Sequence, residues 1–260
     1  MKIRVGNIDF HCEIHGREGL PWLALSHSLA CNLHMWDPQI EALCDRWRIL
    51  AYDTRGHGLT TPVPGPYHFE MLAEDVFGLL THLGIGRTHF AGLSMGGMTG
   101  QALALAHPEV IDRLVLADTG HFTPPAGAQQ WRDRVAIAES QGLEALVEPT
   151  LDRWCVPGFG ERDPAGRAKL AAMIRSTSLE GFVGCAQALM QTNFTERLPS
   201  IRCPTLVIAG EQDASAAATR QIGELIPGAC TVMIPQAGHI STIEQPQAFS
   251  AALADFLAAA

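Results

Sequence analysis

The chain is 260 residues long, 47% apolar and 17% charged, which is the balance of one large globular domain or a domain with an insertion and not of a disordered chain. Its formal net charge of −9, with no cluster of Lys and Arg, argues against nucleic acid or an anionic membrane as the main partner. The seven cysteines are scattered without paired spacing, so they indicate neither a zinc site nor a disulfide framework, and no apolar stretch approaches the roughly 18 residues of a membrane span.

The charged, alternating start MKIRVGNIDFHCEIHG is unlike a signal peptide, and free thiols suit a reducing compartment, so a cytoplasmic location is expected. Ile3–Val5 and Ile8–Ile14 alternate on either side of Gly6-Asn7 and predict an opening hairpin. Trp22–Ser26 reads as a buried strand, Met35–Cys44 as a helix with Pro38 in its first turn, and Trp47–Asp53 as the next strand. Phe69–Leu83 repeats its apolar residues with helical period and stops at Gly84. A strand at Thr88–Leu93, a helix at Met95–Ala106 and a strand at Asp112–Asp118 follow.

The rhythm then breaks. Between Phe122 and Arg197 only helical stretches are legible, at Trp131–Gln141, Leu143–Trp154, Gly166–Arg175 and Leu179–Asn193. Alternation returns with a strand at Pro204–Gly210, a helix near Ala216–Leu225, a strand at Thr231–Pro235 and a last helix at Gln247–Leu257. The expected fold is α/β, a mostly parallel sheet flanked by helices: residues 1–121 and 198–260 form the core, and residues 122–197 an all-helical cap over its carboxyl edge.

The segment AGLSMGGM carries Gly92-Leu93-Ser94-Met95-Gly96, a G-x-S-x-G pattern falling between a predicted strand and a predicted helix. In that context the glycines allow a sharp turn, Ser94 projects as a nucleophile, and the amide of Met95 at the helix N-terminus faces developing negative charge. A serine N-cap between packing glycines is the plainer alternative. Serine needs a base, and His239 in PQAGHIS follows the last strand at the same edge as Ser94. The base needs an acid to orient it. Asp213 follows the preceding strand and is favoured, with Asp118 competing, and Ser94, Asp213, His239 is the chain order expected of such a triad. The second oxyanion donor should come from the loop after the third strand, LSHSLACNLHMW, where the amide of Leu29 is the candidate beside that of Met95, with the hydroxyl of Ser28 as an additional donor. His27 reads as a structural hydrogen bonder, and DTRGHG as a turn held by Asp53 and Arg55.

NLHMWDPQI, YDTRGHGLTTPVPGPY, GLSMGGMTGQ, AGEQD and AGHIS together resemble the α/β-hydrolases, and more narrowly the 3-oxoadipate enol-lactonases of the β-ketoadipate pathway. The resemblance implies Ser94, Asp213 and His239 as triad, Leu29 and Met95 as oxyanion amides, no metal and no cofactor. The implied substrate is an enol-lactone bearing a carboxylate, opened to 3-oxoadipate through an acyl-enzyme. Departures fall at His27 (usually Asn), Ala30 (usually Gly), Asp118-Thr119 (usually Asn-Thr) and DASAAA, which lacks a Thr-Pro, and they bear on the substrate more than on the chemistry.

The cap should supply specificity. Trp131, Trp154 and Phe159 are candidates to wall the pocket. Arg132 is the leading candidate for the substrate carboxylate, and Arg134, Arg153 and Arg175 are also available. Competing readings are a broader carboxylesterase or perhydrolase, a carbon–carbon bond hydrolase with the same triad, and a non-catalytic receptor on the same fold. The partner expected is a small lactone or ester, with no nucleic acid and no membrane, and homo-oligomerisation is left open.

Overall fold

The computed structural model describes residues 1–259. Eight strands form one sheet: β1 (Lys2–Val5), β2 (Ile8–His15), β3 (Trp22–Ser26), β4 (Arg48–Tyr52), β5 (Thr88–Leu93), β6 (Ile111–Ala117), β7 (Thr205–Gly210) and β8 (Cys230–Ile234), in the order β1-β2-β4-β3-β5-β6-β7-β8. The opening hairpin pairs Val5 with Ile8, and β2 runs antiparallel to β4; every other neighbouring pair is parallel. Strand β7 is buried at all six positions and β5 at five of six, as expected of central parallel strands covered on both faces.

Strand β3 lies between β4 and β5. The chain therefore winds outward to β4 and returns past β3 to begin β5, and such a reversal opens a crevice beyond the carboxyl ends of β3 and β5. The loop after β3 and the turn after β5 meet there.

Helices α1 (Asp37–Leu43), α2 (Phe69–His82), α3 (Met95–Ala106), α9 (Ala216–Leu225) and α11 (Pro246–Ala258) flank the sheet, α1 packing on α11 and α2 on α3. Met35 and Trp36 belong to a separate 3-10 turn, Leu33–Trp36, that precedes α1, so the helix predicted from Met35 starts at Asp37. Helix α3 is buried from Met95 to Ala104, and its glycines let it lie directly on the strands. A Cβ on Gly96 would stand 2.1 Å from the Ser26 carbonyl oxygen, and one on Gly92 2.1 Å from that of Gly96. Both glycines of the G-x-S-x-G pattern are thus demanded by close approach of backbone to backbone.

Between β6 and β7 the chain is helical: α4 (Pro125–Gln141), α5 (Val147–Trp154), α6 (Phe159–Arg162), α7 (Pro164–Ser176) and α8 (Leu179–Met190). The two strands of chain entering and leaving this insertion pair at its base, Thr123 N donating to Thr192 O at 3.1 Å and Phe194 N to His121 O at 2.8 Å. Helix α8 is capped by Ser178, whose hydroxyl accepts from Gly181 N and donates to Gly56 O at 2.7 Å. The Gly56 turn is therefore a seat for the cap. In that turn Asp53 accepts from the amide of Leu59 and so holds the turn as expected, and also from that of Leu33, while Arg55 reaches outside the turn to Asp75 of α2 through two bonds of 2.6 Å.

Candidate active site

Ser94 sits at the junction of β5 and α3 with φ 56° and ψ −114°. A left-handed backbone is costly for a residue with a Cβ, by about 1–3 kcal/mol, and the packing of Gly92 and Gly96 imposes it. The strained turn lifts Oγ clear of the helix and toward the loop after β8. There His239 Nε2 accepts from Ser94 Oγ at 2.9 Å, and His239 Nδ1 donates to the Asp213 carboxylate at 3.1–3.2 Å.

Asp213, in the loop after β7, also accepts from the Ser215 amide at 3.0 Å and from the Ser215 hydroxyl. Burial pushes its carboxyl up, but the charge and hydrogen bond of His239 and the bonds from Ser215 outweigh burial and hold it below the usual carboxylate range. Asp118 competes for nothing here. It accepts from Gly210 N at 2.7 Å and from the Ser241 hydroxyl, it makes no hydrogen bond to His239, and burial beside Asp213 pushes it up to about 7.

The loop after β3 is held by two neutral imidazoles. His27 Nδ1 donates to Ser28 O at 2.7 Å while its Nε2 accepts from Thr54 N at 2.9 Å; His57 Nδ1 donates to Arg55 O and its Nε2 accepts from Ala30 N, both at 3.1 Å. Burial lowers the pKa of both rings, that of His57 to about 3. Ala30, at φ 58°, turns the loop back, and the amides of Leu29 and Met95 have no acceptor among the described residues. Two unspent N–H donors flank the serine, as stabilisation of an oxyanion requires. The Ser28 hydroxyl is buried without a partner.

A cavity of about 180 Å³ opens over Ser94 and His239, with Leu29 and Ser28 on one side and the cap on the other. Trp131 and Trp154 line it, as their sequence positions suggested, and Trp154 also stacks on His239 with ring centroids 5.9 Å apart. Phe159 does not; it is 2% exposed in the interior of the cap. Nor does Arg132, which is exposed and bonds to Gln129 on its own helix. Consecutive helical residues point about 100° apart, so a helix that turns Trp131 inward turns Arg132 away. Arg175 is spent on Glu144.

The cation at the cavity is Arg153 of α5. Its guanidinium lies 5.7 Å from the Trp131 ring centre, and Arg134 lies 5.3 Å from the same ring. Neither has a carboxylate partner among the described residues; Arg134 bonds to the Thr150 hydroxyl at 2.7 Å and leaves its Nε buried without one. Phe122, Met98 and Leu189 add apolar wall, and single apolar residues of this kind carry no signal in a sequence. Among the described residues no three His, Cys, Asp or Glu gather as metal ligands, and no helix is long and apolar enough to cross a membrane.

A serine, an imidazole and a carboxylate hydrogen-bonded in series at the carboxyl edge of a parallel sheet, beside two free amides, can carry out acyl transfer to water. The chain belongs to the alpha/beta hydrolase fold family, whose model matches residues 14–246, and it is a hydrolytic enzyme. It is 39% identical over 92% of its length to 3-oxoadipate enol-lactonase 2 of Acinetobacter baylyi, covering 89% of that protein. The enol-lactonase of Burkholderia xenovorans LB400 superposes with a TM-score of 0.96 at 37% identity, each chain covering 100% of the other. A protein of Caulobacter sp. strain K31, provisionally named carbamate hydrolase RutD, is 31% identical over 97% of both chains.

Proposed function

We propose that this enzyme is a carboxylic ester hydrolase that opens a small enol-lactone bearing a carboxylate, with 3-oxoadipate enol-lactone as its substrate. One observation carries the substrate class: Arg153 lines the cavity that holds Ser94, Arg134 meets the same Trp131 ring, and neither forms an ion pair with a carboxylate among the described residues. An arginine left unpaired beside a cavity favours a carboxylate ligand, through charge-assisted and bidentate hydrogen bonds. The enol-lactonase relatives support the same reading.

Ser94 Oγ attacks the lactone carbonyl as its proton passes to His239 Nε2, and Asp213 stabilises the imidazolium through Nδ1. The Leu29 and Met95 amides hold the oxyanion, each such donor being worth about 2.7–4 kcal/mol. Collapse breaks the bond to the ring oxygen, which takes the proton from His239 and leaves as an enol. Because the substrate is cyclic, this enol stays tethered to the acyl group on Ser94. Water then attacks the acyl carbon, giving its proton to His239, and Ser94 departs with that proton. The released enol tautomerises to the ketone.

Steady-state hydrolysis of the lactone beside p-nitrophenyl acetate tests the assignment. The lactone is expected to be preferred by orders of magnitude in kcat/KM, and Arg153→Gln to lower that preference about tenfold, the worth of one charge-assisted hydrogen bond. Comparable turnover of both esters would overturn the substrate, and faster turnover of a carbamate would move the enzyme toward the chemistry named for its Caulobacter relative.

A further inference from the structure

Beyond the triad, one buried carboxylate touches both the cap and the loop that carries the base. Glu244 is the last residue of α10 (Ser241–Glu244), a single turn that follows His239. It is 5% exposed, and it accepts two backbone hydrogen bonds of 2.7 Å: Oε1 from Val156 N, and Oε2 from Gly238 N. Val156 lies just past the end of α5, in the cap; Gly238 immediately precedes His239. A third bond joins the same two segments, His239 N donating to Trp154 O at 2.7 Å. The fit is close enough to require glycine, since a Cβ at 238 would stand 2.3 Å from the Trp154 carbonyl oxygen.

A carboxylate facing two amides is a strong, directional brace, because each bond is charge-assisted and the site is dry. The brace joins the base loop to the C-terminus of the helix that also presents Arg153 and Trp154 to the cavity. We propose that Glu244 is a positioning residue, clamping the His239 loop to Trp154–Val156 so that the registration of His239 on Ser94 follows the seating of α5. Substrate bound by the cap then sets the geometry of the base. This rests on the reading of Ser94, His239 and Asp213 as the hydrolytic group.

Glu244 also sits in the field of His239. Burial pushes its carboxyl up, against the Val156 and Gly238 amides, Arg162 and His239, which favour the charged form.

The test uses the whole enzyme with p-nitrophenyl acetate, a neutral ester that makes no demand on the cap arginines. Glu244→Gln leaves one of the two amides facing an N–H group. It is expected to lower kcat by about 10- to 100-fold, the cost of a base misplaced by about an ångström, with KM within about threefold. An unchanged kcat, or a rise in KM alone, would overturn the proposal. Val156→Pro is a second route that removes the cap-side donor, together with a buried valine side chain, and leaves the Gly238 donor in place; Cys155, with ψ 146°, already has the extended backbone that a following proline needs. It should lower kcat as well, and the loss in the double variant should fall short of the product of the single losses; independent losses would sink the coupling. Ser94→Ala separates the two ideas: if turnover survives it, the hydrolytic reading itself has failed, whereas loss of turnover in Ser94→Ala with full activity in Glu244→Gln removes the clamp alone.

Discussion

Two carboxylates stand behind His239, and they differ in what faces them. Asp213 accepts from the Nδ1–H of the base and stays ionised, while Asp118 accepts from Gly210 and Ser241 and is pushed up to about 7. Asp213→Asn should therefore lower kcat by about 10⁴-fold, because an amide there no longer fixes the tautomer of the base. Asp118→Asn mimics the protonated acid and should leave kcat within a few-fold at pH 7, so kcat for the two variants assigns the acid directly. That Ser94, His239 and Asp213 come together was legible because each follows a strand, and strands can be read from short apolar runs bounded by turn residues. Choosing between Asp213 and Asp118 was harder, since both follow strands and only the side-chain direction separates them. Arg153 was hidden for a related reason: with four candidate arginines on three cap helices, the phase of each helix against the cavity decides which one enters, and a sequence does not state that phase. Glu244 left no trace at all, because its partners are backbone amides, which have no letter.

At the scale of elements, the central strands and the flanking helices follow hydrophobic period and punctuation, and they were readable to within a residue or two. The failures have a common cause. Helices α6 and α10 are four residues long, too short to show a period. The stretch Pro125–Gln130 looks like a loop but forms the first turns of α4, with proline at a position where its missing N–H costs nothing. The predicted helix from Leu143 divides into a 3-10 turn and α5, a hinge-like break that apolar spacing does not reveal. Helix α4 buries only Ala128 and Ala138 completely, against ten consecutive buried residues in α3. The cap should therefore loosen before the sheet, and His239 hangs from the cap by the Trp154 carbonyl. On gradual heating, activity measured at temperature is expected to fall several degrees below the midpoint of far-ultraviolet circular dichroism; coincident curves would show that cap and sheet melt as one unit.

For the whole molecule, the two buried imidazoles that hold the β3 loop link acidity to stability. His57 is held near a pKa of about 3 in the fold, against about 6.5 in an unfolded chain. Above pH 6.5 both states are neutral and the fold keeps its full stability. Between 6.5 and 3 the unfolded chain takes up a proton that the folded one refuses, so stability falls as pH falls, by about 1.4 kcal/mol per pH unit for this one group. Asp118 works in the opposite direction, because its raised pKa favours the folded state as pH drops toward 4. Urea unfolding at pH 6.5, 5.5 and 4.5 should show the wild type losing stability more steeply than His57→Gln, whose longer amide can place its oxygen where Nε2 accepts from Ala30 N; parallel slopes would mean that His57 protonates in the fold.

The paired chain at the base of the cap, where Thr123 meets Thr192 and Phe194 meets His121, also says something about redesign. An insertion whose two ends are joined by backbone bonds can be cut out there and replaced by another of different length without moving either strand it interrupts. That makes the neck the natural splice point for giving this scaffold a new substrate range. A donor cap chosen for its pocket alone would nonetheless arrive without a place for the Glu244 carboxylate, and the recipient would bind the new substrate with its base adrift. Compatibility of a graft should thus be judged at Trp154–Val156, some thirty residues from either seam.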